Sequence, residues 1–440
     1  MISHASESSL LRICTAGSVD DGKSTLIGRL LYDSQSVYED QVSSVEKASK
    51  NRNAGPIDFS LFTDGLRAER EQGITIDVAY RYFATARRKF ILADTPGHEQ
   101  YTRNMATGAS TADVAILLID ARNGVRVQSK RHARIARLLG ITDFVLAINK
   151  MDLVDYDRDV YEKIQDDFQE FLKGAAVHAI PMSALNGDNV ITRSERTPYF
   201  DGPPLLEYLE TVQVHRNLPA APFRFPVQMV LRPDDVFRGY SGQIASGMVR
   251  VGDRITTWPS GRSARVRRIV TYDGDLAMAF APMSVTLTLD DEIDISRGDV
   301  LTVDPPFVGK KFDAEVVWMD ERPLDPGRVY LLKHGTRSVT AEVNHGLVLN
   351  QIGTVQVSTA RPIVFDRYSE NRGTGSFILI DPATHFTCGA GMIVEPVRDS
   401  ATVHTAPLTF AERLAHLARR AASDEEAAEA VRTALEEMLT

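Results

Sequence analysis

The chain has 440 residues, of which 43% are hydrophobic and 25% are charged, a balance typical of globular proteins and not of disordered or fibrous ones. A net charge of −9 gives no general attraction to nucleic acid or to anionic membranes, so we expect neither as a partner. Two cysteines are too few for a disulfide framework or a cysteine zinc site. The N-terminus has no basic segment followed by a long apolar one, so the sequence predicts a cytoplasmic protein.

The first half of the chain, residues 9–216, alternates apolar runs with helical patterns. This alternation predicts a mostly parallel sheet with helices on both faces. The predicted strands are residues 10–16, 76–84, 89–94, 114–120, 144–149 and 177–181, and the predicted helices include 24–31, 128–139 and 157–172. The two strands within 76–94 are joined by a short basic turn, Arg87-Arg88-Lys89, and we expect them to form an antiparallel hairpin at one edge.

The pattern changes after a proline-rich stretch at residues 217–226. Short alternating runs then recur about every ten residues with Gly or Asp turns, which is typical of small β-barrels. We predict two β-barrel domains at 222–305 and 310–404, followed by a helical tail at 405–440. Ser423 and Glu426 form a capping box in that tail, and a helix packed on its own barrel is favoured over a partner-binding helix.

Residues 17–25 fit the phosphate-binding pattern G-x-x-x-x-G-K-[ST], between a predicted strand and a predicted helix. They are Gly17, Ser18, Val19, Asp20, Asp21, Gly22, Lys23, Ser24 and Thr25. The glycines allow backbone N–H groups to curl around phosphate oxygens. Lys23 can reach the β- and γ-phosphates, and the Ser24 hydroxyl can bind Mg²⁺. The loop therefore predicts a nucleoside triphosphate and Mg²⁺ as ligands.

Two later motifs indicate the base. The sequence Asn149-Lys150-Met151-Asp152 follows a predicted strand, as the guanine-reading N-K-x-D motif does in GTPases. The Asp152 carboxylate can accept hydrogen bonds from N1–H and the exocyclic amine of guanine, a donor pair that adenine lacks. The sequence Ser183-Ala184-Leu185 fits the weaker S-A-x element that helps to contact the base. GTP is therefore the predicted nucleotide, and residues 9–216 are predicted to be a P-loop GTPase domain.

The stretch Asp94-Thr95-Pro96-Gly97-His98 contains the D-x-x-G motif. We expect Asp94 to hold Mg²⁺ through a water and the Gly97 N–H to reach the γ-phosphate. Thr75 is a second candidate Mg²⁺ ligand, on a loop that closes when the γ-phosphate is present. An ordinary threonine at the start of a strand is the alternative.

His98 occupies the position at which related GTPases place the residue that orients the attacking water. An imidazole beside the γ-phosphate can position water and stabilise charge, and Val19 and Ile74 would flank it as an apolar gate. An exposed turn histidine is the alternative. The predicted catalytic residues are His98, Thr75 and Lys23.

The order of these motifs resembles the translation-factor GTPases of the elongation factor Tu and 1A kind, whose architecture the two predicted β domains fit. The long interval between Ser24 and Thr75 is similar to the helical insertion of the archaeal and eukaryotic factors. The sequence between the motifs is more specific. The phrases "TAGSVDDGKSTLIGRLL", "DGLRAEREQGITIDVAYRYF", "FILADTPGHEQYTRNMATGAS" and "SALNGDNV" resemble the GTPase subunit of bacterial sulfate adenylyltransferase.

That resemblance implies a heteromeric enzyme that makes adenylyl sulfate and pyrophosphate from ATP and sulfate, driven by GTP hydrolysis. It also implies an ATP-binding catalytic subunit as the partner. The sequence has one P-loop and no metal-ligand spacing such as H-E-x-x-H, which fits a division of labour between subunits. Two other classes stay open here: a translation factor that carries aminoacyl-tRNA, and a stand-alone regulatory GTPase.

Overall fold

The computed structural model describes residues 9–37, 40, 42–45, 49, 57–63, 75–172, 174–214, 218–234, 237–397, 428 and 432. The chain divides into two compact units, residues 1–215 and 216–440. Ser423 and Glu426 of the predicted tail helix and the predicted gate residue Ile74 lie outside the described residues. Of the predicted tail, the structure describes Ala428 and Arg432, and both are helical. In the described part of the chain, no helix has both the length and the apolar character needed to cross a membrane.

The first unit is built on a six-stranded sheet. Its strands are β1 (Ser9–Gly17), β2 (Ala79–Ala84), β3 (Arg88–Asp94), β4 (Val114–Asp120), β5 (Asp143–Asn149) and β6 (Ala176–Pro181). Its helices are α1 (Lys23–Asp33), α2 (Thr102–Ser110), α3 (Val127–Leu138), α4 (Arg158–Phe171) and α5 (Leu205–Thr211). The strand order is β2-β3-β1-β4-β5-β6, with β2 antiparallel to β3 and the other pairs parallel. The predicted α/β class is confirmed.

The central strand β4 is buried along its whole length, and so are the last six residues of β5. A continuous apolar run is what a parallel strand covered on both faces requires. Because the parallel strands run in one direction, their carboxyl ends meet at the same edge of the sheet, where open α/β sheets bind ligands. Asp120 pairs with Asn149 at that edge, and Thr15 near the end of β1 pairs with Asp94.

The edge hairpin differs from its prediction in two details. The turn consists of residues 85–87, because Arg88 already belongs to β3 and is buried. The Arg88 guanidinium donates to the carbonyls of Leu209 at 2.9 Å and Val212 at 2.8 Å, and these bonds satisfy its buried charge. The first strand begins at Ala79, three residues later than predicted.

The second unit contains two antiparallel β regions. The first has β7 (Arg224–Pro226), β8 (Met229–Leu231), β9 (Gly239–Gln243), β10 (Met248–Arg250), β11 (Arg254–Trp258), β12 (Arg262–Thr271), β13 (Gly274–Leu276), β14 (Met278–Phe280), β15 (Ser284–Leu289) and β16 (Val300–Thr302). The second has β17 (Phe307–Trp318), β18 (Tyr330–His334), β19 (Arg337–Val343), β20 (Ile352–Phe365), β21 (Ser376–Ile380) and β22 (Thr387–Pro396). The residue numbers of the domain borders stay a prediction.

Both regions surround a core of their own. In the first, the sheet runs β7-β16-β11-β12-β15-β9-β8, and an isolated antiparallel bridge joins Arg224 of β7 to Ser246, which follows β9. The second is a closed barrel, β17-β20-β19-β18-β21-β22, which leaves no unpaired edge. The Arg224 guanidinium of the first region bonds both carboxylate oxygens of Asp366 in the second, and both side chains are buried.

Candidate nucleotide-binding site

The phosphate loop joins β1 to α1. Within it, the Ser18 N–H donates to Asp21 Oδ2 at 2.6 Å. The Lys23 ammonium donates to the carbonyls of Gly17 at 3.1 Å and Ser18 at 2.8 Å. Because α1 begins at Lys23, its first backbone N–H groups, which have no partner within a helix, lie at the end of the loop and can bind anionic oxygens.

A cavity of about 570 Å³ opens at this loop, a size that accommodates a nucleotide. The predicted residues that line it are Val19, Asp20, Gly22, Lys23, Ser24, Thr25, Thr75, Gly97, His98 and Lys150. Ser60 and Arg122 also line it, and neither was expected from the sequence. The cavity therefore joins the phosphate loop, the candidate switch residues and one residue of the guanine motif.

Two glycines allow this convergence. Gly22 has a φ of 95°, and a Cβ there would lie 2.4 Å from Asn149 Nδ2. A Cβ on Gly97 would lie 2.5 Å from Lys23 Nζ and 2.8 Å from the Gly17 carbonyl oxygen. Any side chain at Gly97 would push the turn that contains His98 away from the phosphate loop.

The charges of the site are arranged around Lys23. Burial lowers the pKa of the Lys23 ammonium, and Asp94 is the strongest of the carboxylates that oppose this shift. Asp94 is only 2% exposed, at the end of β3. A buried cation that lines a cavity and a buried carboxylate that interacts with it can bind a polyanion together with a divalent cation.

The base motifs are connected to the phosphate loop through Asn149. Its Nδ2 donates to the Asp21 carbonyl at 2.8 Å, and its Oδ1 accepts from the Ala184 N–H at 2.9 Å. The Lys150 ammonium donates to the Asp20 carbonyl. Three motifs that lie far apart in the chain thus form one hydrogen-bonded network.

Asp120 and Arg122 belong to this network, although sequence reasoning did not identify them. Asp120 Oδ2 lies 3.0 Å from Lys150 Nζ and 2.6 Å from Arg122 Nη2. Burial alone would raise the pKa of Asp120, but hydrogen bonds from Arg122 and Lys150 outweigh it and hold the pKa at about 2. The sequence signal for Asp120 is its position at the end of the apolar run of β4, at the ligand-binding edge of the sheet.

Other predicted site residues do not line the cavity. Of the predicted residues that the structure describes, these are Gly17, Ser18, Asp21, Asp94, Thr95, Pro96, Asn149, Met151, Asp152, Ser183, Ala184 and Leu185. Asp152 lies in a 3₁₀ turn, Met151–Val154, and is partly exposed. Ser183 is fully buried, whereas Leu185 is 54% exposed. Roles for Asp152 and residues 183–185 in contacting the base stay predictions.

His98 stands at the start of a 3₁₀ turn, Glu99–Tyr101, and lines the cavity. Its Nδ1 accepts a hydrogen bond from the Gln100 N–H at 3.3 Å. In a neutral imidazole this places the proton on Nε2, which leaves that nitrogen as a donor. The ring centre lies 6.0 Å from that of Tyr101. The arrangement is compatible with a histidine that orients a water molecule.

Comparison with known protein families divides the chain in the same way. Residues 8–215 match the elongation factor Tu GTP binding domain, and residues 311–394 match the GTP-eEF1A C-terminal domain-like family. The first match contains the phosphate loop, Thr75, His98 and both base motifs. A GTP-binding domain is therefore present in the first unit.

Similarity to individual proteins extends further along the chain. The chain is 51% identical over 421 residues to sulfate adenylyltransferase subunit 1 of Alteromonas mediterranea, which covers 90% of this chain and 89% of that protein. It is 52% identical over 419 residues to the bifunctional enzyme NodQ of Rhizobium meliloti, covering 90% of this chain and 65% of NodQ. The solved structure of sup35 complexed with GDP is 23% identical, covers 89% of this chain and 95% of that one, and has a TM-score of 0.40.

Proposed function

Because the chain belongs to the sulfate adenylyltransferase subunit 1 family, we propose that it is the GTP-hydrolysing subunit of a heteromeric sulfate adenylyltransferase. In this role it couples GTP hydrolysis to the formation of adenylyl sulfate and pyrophosphate from ATP and sulfate. The observation that carries the proposal is the single cavity at which the phosphate loop, Thr75, His98 and Lys150 meet.

We propose roles for the site residues from the sequence motifs to which they belong. Lys23 binds the β- and γ-phosphate oxygens, and His98 orients the attacking water. Asp152 reads the guanine base, while Asn149 keeps the base motif and the phosphate loop in register through its two hydrogen bonds. The chain's own contribution to hydrolysis is therefore positioning and electrostatic stabilisation.

We propose Mg²⁺ as the metal of this site. The Ser24 and Thr75 hydroxyls line the same cavity, and the Asp94 carboxylate is buried beside Lys23. Within the described residues, no group of three His, Cys, Asp or Glu side chains could hold a metal ion. Mg²⁺ in nucleotide sites is bound by one or two protein ligands with phosphates and water, so such a group is not required. When bound, the ion neutralises charge on the β- and γ-phosphates.

The partner in this proposal is the ATP-binding catalytic subunit. The relatives are called subunit 1, a name that implies a second subunit. Since the P-loop of this chain is assigned to the guanine nucleotide, we assign ATP and sulfate to the partner. A carrier of aminoacyl-tRNA is the alternative, and identities of 50–53% to proteins named sulfate adenylyltransferase subunit 1 favour the first assignment over it.

Reconstitution tests this assignment. We expect the purified chain to hydrolyse GTP slowly and to make no adenylyl sulfate. Adding the ATP-binding subunit should stimulate GTP hydrolysis, and adding ATP with sulfate should stimulate it further. The reason is that ATP and sulfate each stabilise a conformation of the partner that contacts the switch residues of this chain. Hydrolysis is measured as phosphate release. GTP-dependent, salt-sensitive binding of aminoacyl-tRNA with no response to the subunit would support the carrier instead.

Replacing His98 with Ala should reduce the kcat of GTP hydrolysis about 10²-fold, while the Kd values for GTP and GDP change less than about threefold. The reason is that His98 is proposed to act on water in the transition state, not on the bound nucleotide. Single-turnover hydrolysis and fluorescent-nucleotide titration measure the two quantities. His98→Gln should retain more activity than His98→Ala, because an amide can also orient water. Equal losses of affinity and turnover would identify a structural histidine.

A further inference from the structure

Arg29, in the middle of α1, contacts two segments that lie far apart in the sequence. Its Nε donates to the Ala184 carbonyl at 3.2 Å, and its Nη2 donates to the Leu185 carbonyl. Its guanidinium carbon also lies 4.2 Å from the centre of the Phe59 ring, within the range of a cation–π contact. One guanidinium thus holds the loop of the predicted S-A-x motif on one side and Phe59 on the other.

The second of these contacts belongs to residues 57–63, which we call the inner segment. Phe59 is 6% exposed and packs against Tyr32 of α1, with ring centres 5.6 Å apart. The Asp58 carboxylate accepts from both the N–H and the hydroxyl of Ser60, which fixes the turn. Ser60 itself lines the nucleotide cavity. The inner segment is therefore a wall of the site.

Gly28 shows how closely this wall packs on α1. A Cβ on Gly28 would lie 1.9 Å from the Phe59 carbonyl oxygen, so only glycine permits the contact. A glycine in the interior of a helix costs about 1 kcal/mol relative to alanine. The close packing of the Phe59 backbone on α1 explains why a glycine occupies this position despite that cost.

We infer that Arg29 is a positioning residue that couples the inner segment to the base loop, residues 183–187. A shift of the wall at Ser60 then changes the base loop, and a nucleotide that orders the base loop orders the wall. The inference rests on the proposed guanine-nucleotide site. The inference adds a connection between two parts of that site that does not involve the nucleotide. This connection runs from Phe59 through Arg29 of α1 to Ala184 and Leu185.

The guanidinium is suited to this role for a chemical reason. Its planar fork donates in two directions at once while its face covers an aromatic ring, whereas the point charge of lysine cannot do all three. Arg29 also lies 3.7 Å from Asp33 one turn along α1, a contact that orients the side chain from its own helix. That pair is partly exposed and contributes little energy by itself.

Hydrogen exchange of the base loop in the full chain tests the coupling. The Ala184 N–H is bonded to Asn149 Oδ1 and the Gly187 N–H to the Ser183 carbonyl, so both report on the loop. Phe59→Leu removes the ring under Arg29 and should raise exchange in residues 183–187 about 2- to 30-fold, the range that corresponds to one cation–π contact from exposed to desolvated. Phe62→Leu is the matched control. Its ring packs in the same cluster, 6.5 Å from Phe59, and should leave the base loop unchanged.

Two further variants test the coupling at other residues. Gly28→Ala should raise exchange in the inner segment and in the base loop together, because its Cβ displaces the Phe59 backbone. Arg29→Lys should do the same while preserving the charge. The coupling would be overturned if exchange in the base loop stays at the wild-type value in Phe59→Leu and Gly28→Ala. It would also be overturned if exchange rises equally in Phe62→Leu.

The measurement is made both without nucleotide and with GDP, which separates this inference from the proposed function. A wild-type chain that fails to bind GDP would remove the guanine-nucleotide assignment. The comparison of Phe59→Leu with Phe62→Leu in the nucleotide-free chain would still decide whether the two segments are coupled.

Discussion

Asp152→Asn is expected to change the preferred base from guanine to xanthine. The carboxylate is proposed to accept from N1–H and the exocyclic amine of guanine, and an Asn amide would instead oppose its NH₂ group to that amine. Two hydrogen bonds to a charged group contribute about 1.5–3 kcal/mol each, so GTP should bind about 10²- to 10⁴-fold more weakly. Xanthosine triphosphate carries an oxygen in place of the amine and should bind better to the variant than to the wild type. Competition titrations with both nucleotides measure the change.

A matched control for this substitution lies directly after the same turn. Asp155 follows the 3₁₀ turn of Asp152, has a φ of 53°, and is exposed. Asn tolerates this backbone conformation as well as Asp does, so Asp155→Asn should leave base preference unchanged. A preference that stays with guanine in Asp152→Asn would remove Asp152 from the base site, and an equal change in both variants would indicate a general effect of charge.

The predictable part of the site consists of residues that are close together in the sequence. The loop at 17–25 and the stretch 94–98 carry their chemistry in consecutive residues, because a phosphate must be enclosed by one short turn. The strand pattern likewise predicts the sheet, since buried parallel strands require continuous apolar runs. The α/β class followed from the alternation of these strands with helical patterns.

The rest of the site depends on contacts between distant segments, which no local sequence motif predicts. The position of Asp120 at the end of β4 is a weak signal, and its contacts with Lys150 and Arg122 are visible only in the structure. Ser60 reaches the cavity because Phe59 packs on Gly28, a contact set by tertiary packing. Arg88 was predicted in a turn from its charge, but it is buried in β3 and donates to carbonyls at the end of α5. Long-range hydrogen bonds thus override the local signal at these positions.

The second large effect concerns the equilibrium of the coupled reaction. Forming a sulfate–phosphate anhydride from ATP is strongly uphill, and each tenfold gain in product requires about 1.4 kcal/mol from another reaction. GTP hydrolysis can supply it only if the GTP-bound and GDP-bound chains contact the partner differently. The segments around Thr75 and His98 are proposed to change, because they meet at the cavity where the γ-phosphate would bind. We therefore expect GTP to raise the final yield of adenylyl sulfate at least tenfold above the GTP-free equilibrium.

The experiment follows labelled sulfate to completion with GTP, with a non-hydrolysable analogue, and without guanine nucleotide. The analogue can hold the chain in its GTP-like state and change the rate, but it releases no free energy and so cannot move the end point. A complex that contains His98→Ala should approach the GTP end point more slowly, since that variant is proposed to bind GTP and to hydrolyse it poorly. Equal end points in all three reactions, with the partner bound and active, would contradict energy coupling. GTP would then act on the rate alone, as a regulator of the partner's reaction.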